Sequence, residues 1–229
     1  MPSDTRDRIL DTTAELFRRQ GYTGTGMKQI AADAAAPFGS LYHFFPGGKE
    51  HLGCEVIRTS GRFYMQLFAA LAMPAPDVIT AVRDFFTGAA QTLEDTHYED
   101  ACPIATVALE VASTNEPLRE ATAEVFAEWI DGATEYFVLA RIPRPRAREL
   151  AFSMLCLLEG AFIFSRAMRS TESLHVAGAT AVQDVRKALQ DAGSDGVITI
   201  AHATAAGHAR ALPPAGADGH VQADGAAAS

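Results

Sequence analysis

Residues 25–49 constrain this chain most, because they read as two short helices joined by a tight connection. Thr25 is a suitable N-cap for the first helix. Apolar and small residues then recur at helical spacings of three and four, which predicts one buried face: Met27, Ile30, Ala31 and Ala34. Alanines at residues 34–36 let a second helix cross the first closely, and Pro37 suits the opening turn of that helix, where its missing N–H needs no partner.

The predicted second helix covers residues 37–44 and has only about two turns, so it needs tertiary packing to persist. We expect Leu41, Phe44 and Phe45 to anchor it to the protein. Its other face then projects outward and carries Phe38, Gly39, Ser40, Tyr42 and His43. Hydroxyl and imidazole groups suit phosphates and base edges, and glycine permits close backbone approach. The pattern is typical of a helix-turn-helix that reads double-stranded DNA.

Four phrases in this region resemble, in their order, the N-terminal domain of the tetracycline-repressor (TetR) family: ILDTTAELFRRQGY at 9–22, IAADAA at 30–35, GSLYHFF at 39–45 and GGKEHL at 47–52. Three later phrases are similar to the LmrA/YxaF-like subgroup of that family, whose members respond to drugs and flavonoids: CPIATVALE at 102–110, AEW at 127–129 and LEGA at 158–161. The resemblance covers roughly residues 5–190 and leaves the C-terminal segment outside.

The resemblance implies contacts with operator DNA from Thr25, Lys28, Pro37, Phe38, Gly39, Ser40, Tyr42, His43 and Lys49. Lys49 opens a predicted long helix over residues 49–72, whose first turn offers free N–H groups to a phosphate. Two positions depart from the family pattern. Ala35 replaces the usual glycine of the turn and would be strained by about 1 kcal/mol if its φ is positive. Phe38 replaces a polar or basic residue, so it either contacts a thymine methyl or packs inward.

The chain is predicted to be all-α, with three segments. Residues 1–48 form an N-terminal three-helix DNA-binding domain with the helix-turn-helix, and residues 49–190 form a helical C-terminal domain for ligand binding and dimerisation. Residues 102–112 are almost entirely apolar, which predicts a helix buried on all sides. Residues 191–229 are expected to be a low-complexity, disordered tail, because 19 of these 39 residues are Ala or Gly and cannot bury enough apolar surface.

The net charge of −9 does not by itself favour nucleic acid as a partner. Residues 1–60 carry seven basic and seven acidic side chains, so the negative excess lies outside the proposed DNA-binding domain. A neutral domain binds non-specific DNA weakly and depends on good contacts at its true site. We expect Arg18 and Arg19 to be solvated surface charges.

The sequence also predicts a cytoplasmic location without membrane contact. The first residues lead directly into a helix with no signal-peptide pattern, and the longest apolar stretch, residues 150–164, is too short to span a bilayer. Three cysteines far apart offer no disulfide framework. No metal site and no cofactor are predicted.

The resemblance implies a homodimeric transcriptional repressor that leaves its operator when a small hydrophobic or aromatic ligand binds, and that controls efflux or detoxification genes. We expect an apolar and aromatic pocket lined by Phe86, Leu109, Phe126, Trp129, Met154 and Leu158. Residues 149–170 carry apolar side chains in more directions than one core absorbs, which predicts coverage by a partner subunit. The expected interface residues are Leu155, Phe162, Val182, Val185 and Leu189.

Two other classes of protein stay open. A redox-sensing regulator would act through Cys102 or Cys156, so that peroxide would release DNA without a ligand. An enzyme with a helical accessory head would have Cys102, near His97, as its best nucleophile, although a buried apolar cysteine is the commoner outcome. Because the C-terminal part has no Gly-rich phosphate loop and no paired metal ligands, we expect no catalytic activity.

Overall fold

The computed structural model describes residues 5–198, which are helical and contain no strand. The helices are α1 (Thr5–Gln20), α2 (Met27–Asp33), α3 (Phe38–Phe44), α4 (Gly48–Ala72), α5 (Val78–Asp95), α6 (Pro103–Val111), α7 (Glu116–Leu139), α8 (Arg144–Met168) and α9 (Glu172–Ala192). The predicted all-α class is therefore confirmed.

The first three helices pack around an apolar core that they share with the start of α4. Ile9 and Phe17 of α1, Ile30 of α2 and Leu41 of α3 are all completely buried there. Phe45, directly after α3, is also completely buried, while Phe44 keeps partial exposure. The short helix α3 is thus held from one side, as its two-turn length requires.

This core continues past residue 48 into α6 and the first half of α7. We call helices α1–α3 the head. Ile104 and Val107 of α6 and Leu118 and Val125 of α7 belong to the same cluster as the buried residues of the head. The prediction that α6 is buried on all sides is wrong, because Leu109 on its outer face is 74% exposed. Helix α6 therefore supports the first three helices with one face and exposes the other. The proposed domain boundary at residue 48 stays a prediction.

Helices α4 and α7 cross at very short range. A Cβ atom added at Gly61 of α4 would lie only 2.6 Å from Cγ1 of Val125 in α7. In the same place the indole Nε1 of Trp129 donates a hydrogen bond of 2.9 Å to the Gly61 carbonyl oxygen. The absence of a side chain at Gly61 is what lets the two helices approach this closely.

A second apolar cluster joins the end of α4 with α5, the rest of α7, α8 and α9. The first residues of the predicted tail pack onto it: the Ser194 hydroxyl donates to the Ala140 carbonyl oxygen at 2.7 Å, and the Val78 N–H donates to that of Gly196 at 3.0 Å. Ile198 also packs against this cluster. The rest of the predicted tail, residues 199–229, lies outside the described residues.

Helix α8 has one buried side and one uncovered side. Leu150, Met154 and Leu158 are buried against the second cluster. Phe152 and Ile163, on the uncovered side, are 46% and 56% exposed. Within residues 5–198, α8 is also the one helix long and apolar enough to cross a membrane by length and composition, because it extends beyond the apolar stretch 150–164 at both ends.

The turn between α2 and α3 places Ala35 in the left-handed region, with φ of 47°. The N–H of Ala35 donates to the Ala32 carbonyl oxygen at 3.1 Å, and the N–H of Ala36 donates to the Ala31 carbonyl oxygen at 3.0 Å. The turn therefore adopts the conformation that glycine favours, although alanine occupies it.

Ala35→Gly should raise the free energy of unfolding by about 1 kcal/mol, because it removes the left-handed strain at an exposed position without deleting a packed side chain. Ala32→Gly is the matched control, since Ala32 is exposed within α2 and glycine there should destabilise by about 0.5–1 kcal/mol. Urea unfolding followed by circular dichroism measures both. Equal destabilisation by the two substitutions would contradict a strained turn.

Candidate DNA-binding surface and ligand cavity

The outer face of α3 is accessible to solvent and carries two aromatic rings. Phe38 is 44% exposed and Tyr42 is 48% exposed, and their ring centroids lie 5.6 Å apart in an edge-to-face arrangement. Gly39 and His43 are exposed on the same helix, and Ser40 is partly exposed. Phe38 therefore points outward, which resolves the alternative of inward packing left by the sequence.

Two further residues of the expected DNA-binding set flank this face. Lys28 is exposed on α2, and Pro37 is exposed immediately before α3. Pro37 is the N-cap residue of α3 and not part of its first turn, one position earlier than predicted. Together with α3 they form a surface that we call the α3 face: Lys28, Pro37, Phe38, Gly39, Ser40, Tyr42 and His43.

Thr25 does not belong to the α3 face. It is only 1% exposed, and its hydroxyl donates to the Gly21 carbonyl oxygen at 2.7 Å. The cap of α2 is Gly26, so the predicted N-cap at Thr25 is wrong. A buried hydroxyl that closes the loop after α1 cannot reach a phosphate, and the prediction that Thr25 contacts DNA directly is wrong as well.

Lys49 lies in the first turn of α4, as expected, but its ammonium packs on an aromatic ring. Its Nζ is 4.3 Å from the centroid of the Tyr22 ring. Partial burial lowers the pKa of Lys49, and the nearby Glu110 carboxylate opposes that shift. Glu110 also accepts hydrogen bonds from the N–H groups of Tyr22 at 3.1 Å and Thr23 at 2.7 Å. Through Glu110, α6 holds the loop that follows α1.

Arg18 and Arg19 at the end of α1 form ion pairs, so the prediction that they are simply solvated is wrong. The Nε of Arg18 lies 3.1 Å from Oδ2 of Asp100, in the loop before α6, and both side chains are at least three-quarters buried. Arg19 pairs with Glu15 at 2.9 Å within α1. We call the helices that follow the head, α4–α9, the body. The Arg18–Asp100 ion pair is thus a second polar contact between the head and the body.

A cavity of about 400 Å³ lies among α4, α5, α7 and α8. This volume suits a drug-sized molecule. Three of the expected lining residues, Trp129, Met154 and Leu158, are in its wall. The rest of the wall is mainly apolar and was not predicted: Tyr64, Phe68 and Leu71 of α4, Phe85, Ala89 and Leu93 of α5, and Ala133 of α7.

The other three expected lining residues lie elsewhere. Leu109 is exposed on α6. Phe126 packs against Trp129, with 5.9 Å between the ring centroids, and does not reach the cavity. Phe86 is buried toward α9, where it lines a separate groove. Consecutive helical residues point about 100° apart, so Phe85 faces the cavity in place of Phe86.

The predicted dimer residues are used within the chain. Val182, Val185 and Leu189 are 9%, 2% and 3% exposed in the second cluster, so their assignment to a partner interface is wrong. Leu155 and Phe162 are partly exposed and also line the cavity, so their assignment to a partner interface stays a prediction. The apolar face of α9 packs against α5 and α8 of the same chain. Large apolar side chains that remain exposed on α8 and α9 are Phe152, Ile163, Phe164, Met168 and Val176.

One end of the cavity is polar, with Arg18, Asp100, Cys102 and Glu159 in its wall. Burial raises the pKa of Glu159 to about 7, against a smaller opposing effect of its hydrogen bond with the Cys102 thiol. Burial also raises the pKa of Cys102 well above its ordinary value, which keeps the thiol protonated and disfavours it as a nucleophile. A single glutamate in the apolar stretch 150–164 was the sequence signal for this polar end.

The geometry defines a class of protein. A two-turn helix with an accessible polar and aromatic face follows a tight turn from another helix, which is the arrangement of a helix-turn-helix DNA-binding protein. The helical body behind it contains a cavity of ligand size.

Comparison with known proteins narrows this class. The profile described as "Bacterial regulatory proteins, tetR family" matches residues 9–53, and "Transcriptional regulator LmrA/YxaF-like, C-terminal domain" matches residues 78–180. The HTH-type transcriptional regulator LmrA of Bacillus subtilis is 33% identical over 174 residues, which are 76% of this chain and 93% of LmrA. YxaF of the same organism, an uncharacterized HTH-type transcriptional regulator, is 32% identical over 162 residues, 71% of this chain and 85% of its own. The chain therefore belongs to the TetR family of HTH-type transcriptional regulators, with an LmrA/YxaF-like C-terminal domain.

Two further comparisons concern the head and the fold. The HTH-type transcriptional repressor NemR of Escherichia coli is 34% identical over 68 residues, 30% of this chain and 34% of NemR. The crystal structure of the regulatory protein TetR from Rhodobacter sphaeroides matches with a TM-score of 0.70 at 19% identity. The match covers 80% of this chain and 99% of the Rhodobacter sphaeroides chain. The latter likeness concerns the fold alone.

Proposed function

We propose that this protein is a homodimeric repressor that binds operator DNA through the α3 face and leaves it when a small hydrophobic molecule occupies the cavity. The observation that supports this most is the division of α3, with Leu41 completely buried on one side and Phe38 and Tyr42 about half exposed on the other. A helix that is anchored behind and open in front fits a major groove. The name of NemR as a repressor supports the sign of regulation.

Within this proposal, Tyr42 and His43 donate hydrogen bonds to bases or phosphates, and Phe38 supplies an apolar contact to a thymine methyl. Lys28 and Lys49 contact phosphates, Lys49 after its ammonium leaves the Tyr22 ring. Two α3 helices of a dimer would then enter major grooves about 34–36 Å apart on a pseudo-palindromic site. Since the head carries no excess positive charge, affinity must come from these specific contacts.

Tyr42→Ala should lower affinity for the operator at least tenfold, because a good base contact contributes about 1–3 kcal/mol. The operator is first selected from genomic fragments with the wild-type protein, and affinity is then measured by fluorescence anisotropy at physiological salt. Phe63→Ala is the control, since Phe63 is an exposed aromatic residue of α4 outside the α3 face. Unchanged affinity of Tyr42→Ala would remove α3 from the proposed interface.

The proposed dimer forms through the uncovered sides of α8 and α9. Phe152, Ile163, Phe164 and Met168 on α8 and Val176 on α9 are 46–65% exposed, and such an apolar surface is typical of a subunit interface. A four-helix interface from two copies of α8 and α9 would cover them. The same contact explains why α8 is apolar enough to resemble a membrane span.

Ile163→Glu should convert the dimer to monomers, because it places a charge in the proposed apolar contact. Sedimentation velocity measures the change. Leu109→Glu makes the same kind of substitution at a residue that is 74% exposed on α6, and it should leave the dimer intact. A dimer that persists in Ile163→Glu at micromolar concentration would place the interface elsewhere.

Release by ligand needs a connection between the cavity and the α3 face, and two elements supply it. Arg18 of α1 and Tyr64 of α4 are in the cavity wall, and both helices also contribute to the core behind α3. A ligand that favours a DNA-incompetent arrangement by about 2.7 kcal/mol would lower operator affinity about a hundredfold. We also propose efflux or detoxification genes as targets, since hydrophobic effectors of drug size call for such a response. A cytoplasmic location is proposed because the operator DNA is there.

This connection can be tested without a ligand by placing a bulky side chain at the exposed edge of the cavity. Gly88 of α5 is in the cavity wall, and an added Cβ there meets no atom within 4 Å. Gly88→Phe should lower operator affinity at least tenfold, whereas Gly88→Ala, which adds only a methyl group, should not. Both substitutions favour helix formation over glycine, so folding is preserved. Equal operator affinity of the two variants would separate the cavity from DNA binding.

A further inference from the structure

The polar end of the cavity presents hydrogen-bond acceptors that have no donors. Oε1 of Glu159 and Oδ1 of Asp100 are each buried without a hydrogen-bond partner. Oδ2 of Asp100 accepts a hydrogen bond from the Arg18 Nε–H. The nearest charge to Oδ1 is the Arg19 guanidinium, whose Nε lies 3.6 Å away. Unpaired buried oxygens are unfavourable and are generally satisfied by something in the functional state.

Oε1 of Glu159 accepts no hydrogen bond from the cavity wall, and three of the nearby donors are directed elsewhere. The Arg18 Nε–H is directed to Asp100 at 3.1 Å, the Trp129 Nε1–H to the Gly61 carbonyl oxygen at 2.9 Å, and the Thr92 hydroxyl to the Gly88 carbonyl oxygen at 2.9 Å. The Cys102 thiol is next to Glu159, but a thiol is a weak donor. A molecule that fills the cavity can supply the missing donor.

We propose that the effector is an amphiphilic amine, with an apolar body against the aromatic wall and a protonated amino group hydrogen-bonded to Glu159. This inference rests on the proposed function, in which the cavity is the effector site. A charged donor is preferred over a neutral one because charge-assisted hydrogen bonds are about twice as strong and because the amine balances a buried carboxylate. An anionic molecule would instead meet two carboxyl groups. A hydrophobic ligand without a hydrogen-bond donor would leave Glu159 unpaired.

The charge of Glu159 makes this preference depend on pH. Its pKa is raised to about 7 by burial, so the empty cavity holds it protonated below pH 7 and ionised above. Of the other groups at that end, Arg18 and Asp100 form an ion pair, while burial raises the pKa of Tyr64 to about 12 and that of Cys102 well above its ordinary value. Glu159 is therefore the group that changes charge between pH 6 and 8. Binding of an ammonium ion ionises Glu159 and releases its proton, so affinity rises with pH up to about 7 and then levels.

The test compares two probes of equal shape, 4-phenylbutylamine and 4-phenylbutan-1-ol, on the full-length protein without DNA. Trp129 is the single tryptophan of the chain and is in the cavity wall, so its fluorescence reports occupancy. At pH 8 the amine should bind at least tenfold more tightly than the alcohol. From pH 8 to pH 6 the affinity for the amine should fall about tenfold, as the ionised fraction of Glu159 falls, whereas that for the alcohol should not change.

Glu159→Gln should abolish both the preference for the amine and its pH dependence, while leaving the affinity for the alcohol within about twofold. Glu149→Gln is the matched control, because it makes the same substitution at an exposed position of the same helix. Equal binding of amine and alcohol by the wild type, no binding of the amine, or a preference that survives in Glu159→Gln would each overturn the proposal.

Operator release is measured separately, with the same amine added to the protein–DNA complex. If the amine binds in the Glu159-dependent way but the operator stays bound, the inference about the ligand stands and the proposed release mechanism fails. If the alcohol and the amine bind equally and both release the operator, the proposed function stands and the inference fails.

Discussion

The burial of Leu41 and Phe45 is the interaction on which the rest of the structure depends. A helix of seven residues does not form alone in water, so α3 exists only because these side chains are enclosed by α1, α2 and α4. Burying two large side chains stabilises by about 1.5–3 kcal/mol each, which is comparable with the cost of ordering several backbone residues. Because all the anchoring is on one side, the opposite side keeps its aromatic and polar groups free for a partner.

The core that holds α3 is not confined to the head. Side chains of α6 and α7 complete it, and the Glu110 carboxylate and the Arg18–Asp100 pair add polar ties at its edge. The same Arg18 and Asp100 are in the wall of the cavity. Head and body are therefore parts of one packed structure, in which α1 and α4 contribute both to the cavity wall and to the core behind α3.

The sequence predicted the helices and the outer face of α3 because both follow from periodicity and from the turn around Ala35. It predicted the cavity only in part. Periodicity shows that a segment such as α5 has an apolar side, but it does not distinguish Phe85, which faces the cavity, from Phe86, which faces α9. For the same reason Val185 was assigned to a partner although its own chain buries it. The pairing of Arg18 is not visible in the sequence, because the carboxylate of Asp100 lies 82 positions away.

The close crossing at Gly61 has a mechanical consequence. With the Val125 side chain seated where a Cβ would be, and the Trp129 indole bonded to the Gly61 carbonyl, α4 cannot slide along α7 without breaking both contacts. The crossing therefore fixes the position of α4 along α7: a rotation of α4 about Gly61 preserves the Val125 contact and the Trp129 hydrogen bond, whereas a translation breaks them.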